Sequence, residues 1–328
     1  MSMFAPPPAT PAEQRFDIVS KSNVALDPNG HLLHIENVTK VYKGKDGPKT
    51  VLDNVDLRVS KGEFVSLVGP SGCGKSTLLR LIVGQEEPTT GGLFLQGTPI
   101  NFPDPSRVIV YQKYPLFPHL NVIDNLLFAP RRSLSFAEFR KREPEIRDRA
   151  MEYLKIAHLE DSTSKYPKEL SGGQQQRTAV LRALMVDRMQ VLMMDEPFGA
   201  LDGGTRERMQ TFLLQLWEKM EMTIFFVTHD LEEAVFLGTR VVTLSQFYTD
   251  DRKDVQIRGS RVTCDIPTGI VGQAQSTKSK LDPKFTHTIE HIRDMMGNPN
   301  HLYHVNEFDL SHPDSFHTVS PEELKSPS

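Results

Sequence analysis

Residues Gly69–Thr77 read GPSGCGKST. The apolar run Phe64–Val68 ahead of them predicts a short strand and STLLRLIV at Ser76–Val83 predicts a helix, so the glycines lie in a strand, loop and helix setting. Gly69 and Gly74 let the backbone curl until successive N–H groups converge, and the positive end of the following helix adds its field. A loop of this kind, made by Gly69, Pro70, Ser71, Gly72, Cys73, Gly74, Lys75, Ser76 and Thr77, suits the β- and γ-phosphates of a nucleotide. Lys75 would neutralise phosphate charge, and the Ser76 hydroxyl would hold Mg²⁺.

Two further apolar runs, Val191–Met194 and Ile224–Val227, have the continuous character of parallel strands buried on both faces. The first ends in Asp195 and Glu196, the second in Thr228 and His229. In open α/β sheets such strand ends face the ligand. Asp195 would hold the same Mg²⁺ as Ser76, through water. Glu196 would polarise an attacking water, which requires a bend at the strand exit because neighbouring strand residues point opposite ways. His229 would stabilise the γ-phosphate and the transition state. Gln112, after the apolar run Val108–Tyr111, is a candidate to ligate Mg²⁺ or orient water. Alone, Gln112 and His229 would read as ordinary surface residues; their order in the chain gives them weight.

LSGGQ at Leu170–Gln174 opens a helix-forming stretch, which makes Ser171 an N-cap with anion-binding N–H groups around Gly173 and Gln174. The chain already has a complete phosphate cradle at Gly69–Thr77, so a second one implies the ATP of a second chain.

The 328 residues carry a formal charge of −4, which gives no basic surface for nucleic acid. Two cysteines, Cys73 and Cys264, are too few for a disulfide framework and fit a reducing compartment. No basic-then-apolar start marks a secretory signal, and no run approaches the ~18 apolar residues of a membrane helix. Residues 1–29, rich in Pro and Ala, read as a disordered leader. Residues 30–250 read as an ATPase domain that opens with antiparallel strands and contains a helical subdomain at about 113–182, including Phe136–Leu159 despite Pro144. Residues 251–328 read as an extension with a strand in Val255–Ile266, a helix at Phe285–Met296 and a flexible last thirty residues.

Taken together, Gly69–Thr77, Gln112, LSGGQ, VLMMDEP, GALD and His229 resemble the nucleotide-binding subunit of an ABC transporter, over about two thirds of the chain. The resemblance implies an α/β P-loop NTPase core of the ABC type, with an N-terminal antiparallel β-subdomain and an inserted α-helical subdomain. It implies a homodimer that sandwiches ATP between the loop at Gly69–Thr77 of one copy and Ser171 and Gly173 of the other. Tyr42 stands where the family places an aromatic ring on adenine, and Asp202 where it links the two sites. Lys75, Gln112, Glu196 and His229 take the catalytic positions, and Ser76, Gln112 and Asp195 those around Mg²⁺. A separate integral-membrane permease and an extracytoplasmic solute-binding protein are the implied partners, with the chain peripheral on the cytoplasmic face of the inner membrane.

DEPFGALDGGTRERMQ and THDLEEAVFLGTRVVTLS are most similar to the subunits of nitrate, sulfonate and taurine importers. Leu181, the long Phe247–Asp254 segment and everything after Gly297 depart from that pattern and leave the solute open. A soluble non-transport ABC ATPase, and an exporter or lipid-trafficking ATPase, are the competing readings. In the family, the surface at Tyr114–Leu120 receives a helix of the permease, although internal packing would use the same residues. The tail histidines, including His287 and His291 at helical spacing, read as polar surface ahead of a metal site. Cys73 reads as a small filler, with a helix N-terminus that would lower its thiol pKa.

Overall fold

The computed structural model describes residues 16–18, 30–45, 47–111, 116–199, 201–252 and 258–319. Its central sheet has the order β12 (Arg261–Pro267), β10 (Arg240–Ser245), β4 (Phe64–Val68), β9 (Thr223–Val227), β8 (Val191–Asp195) and β7 (Arg107–Val110). All neighbours pair in parallel except β10 and β12. Alternate residues feed two cores, as strands buried on both faces require. Phe64, Val68, Leu192, Met194, Ile224 and Phe226 pack on the side of the helices. Val65, Leu67, Val191, Met193, Phe225 and Val227 pack on the other, where α1 (Lys75–Val83) lies with the small antiparallel sheet β3 (Gly47–Val59), β2 (Leu33–Gly44), β5 (Thr90–Leu95) and β6 (Thr98–Pro99). Met193, Met194 and Met222 are buried in these cores.

Helices α2 (Val122–Ser133), α3 (Phe136–Ile156) and α4 (Gly172–Leu184) form the helical unit between β7 and β8. Ser135 starts α3 with a capping box to Glu138, and the helix runs on through Pro144. Helices α5 (Gly203–Met220) and α6 (Leu231–Leu237) bracket β9. No helix among the described residues is long and apolar enough to cross a membrane.

The C-terminal region departs from the sequence expectation. β12 belongs to the central sheet, paired along β10, so the extension is built into the domain. Its strand begins at Arg261; residues 255–257 of the expected strand lie outside the described set. After α7 (Pro283–Met295), the segment expected to be flexible folds back over the molecule as far as Val319. Phe308 and Leu310 enter the second core. The Asp265 amide donates to the Asp309 carbonyl at 2.7 Å and the His312 amide to the Asp265 carbonyl at 2.9 Å. β11 (Tyr248–Thr249) pairs with β13 (Tyr303–His304), and β14 (His317–Val319) with β1 (Phe16–Ile18). Apart from β1, the expected leader lies outside the described residues. A sparse apolar pattern hid this packing, because much of the attachment is polar. Arg240, buried at the base of β10, grips both oxygens of Asp265 at 2.6 Å and Glu63 at 3.2 Å, while Ser315 donates to Asp265. Leaving such a buried charge unpaired costs about 3–5 kcal/mol.

Asp56 closes the strap by accepting from the Asn37 amide and from the Thr318 amide and hydroxyl, the last at 2.8 Å. Burial raises its carboxyl from 3.8 to about 7, against the pull of these donors and of Arg261. The folded state therefore retains a proton that the unfolded chain has lost, so this group's stabilisation is full below pH 4 and declines as pH rises to about 7. Asp56→Asn is expected to flatten that slope in melting temperatures measured between pH 5 and 8; equal slopes in both proteins would contradict the assignment.

Candidate functional site

The parallel register brings three strand ends together: β9 lies between β4 and β8, Leu67 pairs with Val227, and Val227 with Asp195. The loop after β4 turns tightly against β10. Gly69 has φ +154°, and a Cβ there would fall 2.1 Å from the Leu244 carbonyl oxygen. Gly74 has φ +94°, and its Cβ would meet Val51 and Leu52 at 2.8 Å. Only glycine fits both positions without displacing neighbours. Lys75 is buried under the loop and donates to the Gly69 carbonyl at 2.8 Å and the Pro70 carbonyl at 3.1 Å. Its ammonium thus sits inside the ring of residues 69–77. Cys73 is buried beside it, and burial raises its thiol pKa, contrary to the lowering expected at a helix start.

The Ser76 hydroxyl lies 3.1 Å from Asp195 Oδ2. Burial and the neighbouring Glu196 raise the Asp195 carboxyl, while Ser76 and Lys75 lower it. One hydroxyl and one half-buried carboxylate beside a phosphate cradle form an all-oxygen donor pair of the kind Mg²⁺ accepts. Glu196 is left-handed, φ +47°, and its amide donates to the Val227 carbonyl at 2.9 Å. This is the exit bend that turns Glu196 to the same end as Asp195. His229 Nδ1 stands 3.5 Å from Glu196 Oε2, so the base candidate and the histidine share one spot.

Ser171 caps α4 through a capping box, its amide donating to Gln174 Oε1 at 2.9 Å and its Oγ accepting from the Gln174 amide at 3.3 Å. Gly173 packs against Thr205, whose Cγ2 would lie 2.8 Å from an added Cβ. Asp202 caps α5 by accepting from the Thr205 amide at 3.0 Å. Ser171, Gly173, Arg177, Thr205 and Arg208 line a cavity of about 520 Å³ that none of residues 69–77 borders. The two helix starts thus belong to separate places on one chain.

Tyr42 is held by Glu86, to which its hydroxyl donates, and Glu86 accepts from Arg80 at 2.7 Å. Gln112 and Tyr114 lie outside the described residues. In the stretch that follows them, Leu116 is buried and Phe117 packs on Phe128 with ring centroids 4.1 Å apart, while Pro118 and His119 are exposed. His291 pairs with Asp309 at 2.7 Å, so its partner is a carboxylate and not the expected-spacing His287.

Sequence reading missed several supporting residues. Gln176, in a run of glutamines that looks solvated, is fully buried and donates to the Pro197 carbonyl at 2.7 Å, tying α4 to the turn after Glu196. Glu233 looks like a surface acid of α6 but is buried and accepts from the Thr228 hydroxyl at 2.8 Å. Burial raises the Glu233 carboxyl pKa. The one sequence signal was periodicity, since both positions fall on the inward face of their helices.

The ABC transporter family profile matches residues 52–199. The chain is 41% identical over 244 residues to the bicarbonate transport ATP-binding protein of Synechocystis sp., covering 74% of this chain and 80% of that one. It is 42% identical over 226 residues to the nitrate import ATP-binding protein of Synechococcus elongatus, covering 68% and 80%. Its structure is similar to the dimeric post-hydrolysis state of the ATP-binding cassette MJ0796 bound to ADP and Pi, with a TM-score of 0.55 and 33% identity over 72% of this chain and 98% of that one. Gly69→Ala is expected to lower stability by about 2–3 kcal/mol and remove ATP binding, because its Cβ meets a backbone carbonyl that cannot move aside. Calorimetry and equilibrium dialysis with ATP check this; wild-type behaviour in both would contradict the cradle geometry.

Proposed function

We propose that this chain, which belongs to the ABC transporter family, binds and hydrolyses ATP to power an importer for a small solute of the bicarbonate, nitrate or sulfonate kind. The observation that carries this reading is the separation of the Gly69–Thr77 cradle from the Ser171 cap. A nucleotide held by one must wait for the other from a second copy, so ATP closes a dimer, and closure is the motion a membrane permease can use. The relatives named for bicarbonate and nitrate supply the solute class. A permease in the membrane and a solute-binding protein outside it complete the proposed assembly, with this chain at the inner face of the membrane.

In this account the amides of residues 69–77 and the Lys75 ammonium hold the β- and γ-phosphates. Ser76 and Asp195 would hold Mg²⁺, with Gln112 as a further candidate, and the ion would supply neutralisation of phosphate charge. Tyr42, fixed by Glu86, offers its ring to adenine. Ser171 of the partner subunit, with the helix start behind it, meets the γ-phosphate from the other side. Glu196 accepts a proton from water as its oxygen bonds to the γ-phosphorus, and the bond to the ADP oxygen breaks. His229, beside Glu196, donates to the transferring phosphoryl oxygens. The products are ADP and phosphate.

Glu196→Gln is expected to retain ATP and Mg²⁺, lower turnover by about a hundredfold or more, and accumulate as an ATP-bound dimer. Phosphate release and light scattering read both quantities; full turnover, or a monomer in saturating ATP, overturns the reading. Cells without this chain should lose uptake of labelled bicarbonate, nitrate or an alkanesulfonate, restored by wild type and not by Glu196→Gln. Unchanged uptake of all three would overturn the solute class and favour a non-transport or export role.

A further inference from the structure

Between the Asp202 loop and the His229 loop stands a side chain with no part in the scheme so far. Arg206 lies in the first turn of α5, and its amide donates to the Asp202 carbonyl at 2.8 Å. Its guanidinium reaches three groups. Nη2 donates to the Leu201 carbonyl at 3.4 Å, Nη1 to Asp230 Oδ2 at 3.4 Å, and Nε stands 3.6 Å from Glu233 Oε1. The two acids flank His229 through a closed set of hydrogen bonds. Glu233 accepts from the Thr228 hydroxyl at 2.8 Å, and that hydroxyl accepts from the Asp230 amide at 3.0 Å. Asp230 in turn caps α6, accepting from the Glu232 amide at 3.0 Å and the Glu233 amide at 3.3 Å. Gln210, one turn further along α5, donates to Glu233 Oε1 at 3.2 Å. His229 itself is largely exposed, and among the described residues its charged partner is Glu196. Its direction is therefore set by its two neighbours in the chain, Asp230 held directly from α5 and Thr228 held through Glu233 of α6.

We infer that Arg206 is a positioning residue, a brace between the Asp202 loop and the His229 loop through which the arrival of the second copy at Asp202 sets the aim of His229. The inference rests on the proposed ATP hydrolysis and adds to it a route within one chain from the dimer contact to the catalytic histidine. A bifurcated cation suits the task. When the Leu201 carbonyl shifts, the guanidinium moves as a rigid plane, and the Asp230 and Glu233 contacts move with it. Glu233 is buried with two donors on it, Thr228 and Gln210, and with the Arg206 guanidinium as its counter-charge at 3.6 Å.

The test uses the full chain and three variants, Arg206→Ala, Arg206→Lys and Glu233→Gln, with ATP turnover, ATP affinity and the melting temperature measured on each. Arg206→Ala is expected to lower kcat by about tenfold or more, with KM for ATP within about threefold of wild type and with a reduced Hill coefficient. Arg206→Lys should recover part of kcat, because its ammonium can still reach one of the two acids. Glu233→Gln, which keeps the side-chain volume, should lower kcat without raising KM and covers the case in which Arg206→Ala fails to fold. A kcat within twofold of wild type in both Arg206→Ala and Glu233→Gln overturns the brace, as does a fall in stability and affinity together with unchanged kcat. A wild-type chain with no turnover would instead sink the proposed function.

Discussion

The parallel pairing of β8, β9 and β4 is the constraint on which the rest depends. It aligns Asp195, Val227 and Leu67 across the sheet, so the residues that follow each strand emerge at one edge. From that edge come the Gly69 loop, the bend at Glu196 and the turn at His229. Burial on both faces keeps the alignment rigid. The same continuous apolar runs that make the strands therefore make the site, and a register slip between β8 and β9 would part Glu196 from His229 as surely as mutation of either residue.

In the proposed function the edge holds half of a site. The Ser171 helix start is polarised toward its own cavity, and Gly173 is pressed against Thr205 of α5, so α4 and the Asp202 loop present one common surface. Gln176 ties this surface to the turn after Glu196. The surface proposed for a second copy is thus linked, within each chain, to the carboxylate that would act on water. Hydrolysis in such an arrangement is expected to depend on pairing, because neither the cradle nor the cap does its work alone.

The sequence made the core of this arrangement legible because its chemistry uses rare patterns. Two glycines at fixed spacing before Lys75, a buried strand ending in two acids, and a Ser-Gly-Gly helix start each have a physical reason that leaves few alternatives. The bend that brings Glu196 beside Asp195 was inferable from strand alternation and takes the form of a left-handed residue. The C-terminal strap was not legible. Its anchors are polar groups such as Asp56, Asp265 and Thr318, matched to partners fifty or more residues away, and hydrophobic periodicity does not register them. The low thiol pKa expected of Cys73 failed for a related reason: helix position is visible in sequence, whereas burial against Lys75 and the loop is not. Arg206 and Glu233 escaped notice because charged residues on a helix usually face water, and here a second helix turns them inward.

The central claim is that one ATP is held by two different chains. Its most direct test places Lys75→Ala on one copy and Ser171→Arg on another, both carrying Glu196→Gln, and measures the ATP retained after gel filtration. Lys75→Ala alone should retain none and Ser171→Arg alone should bind ATP only as a monomer, while an equimolar mixture should form a pair that retains about one ATP, since one intact cradle then faces one intact cap. A mixture that forms no ATP-bound pair although both proteins are folded, or a Ser171→Arg protein that forms an ATP-bound dimer by itself, would contradict the shared site.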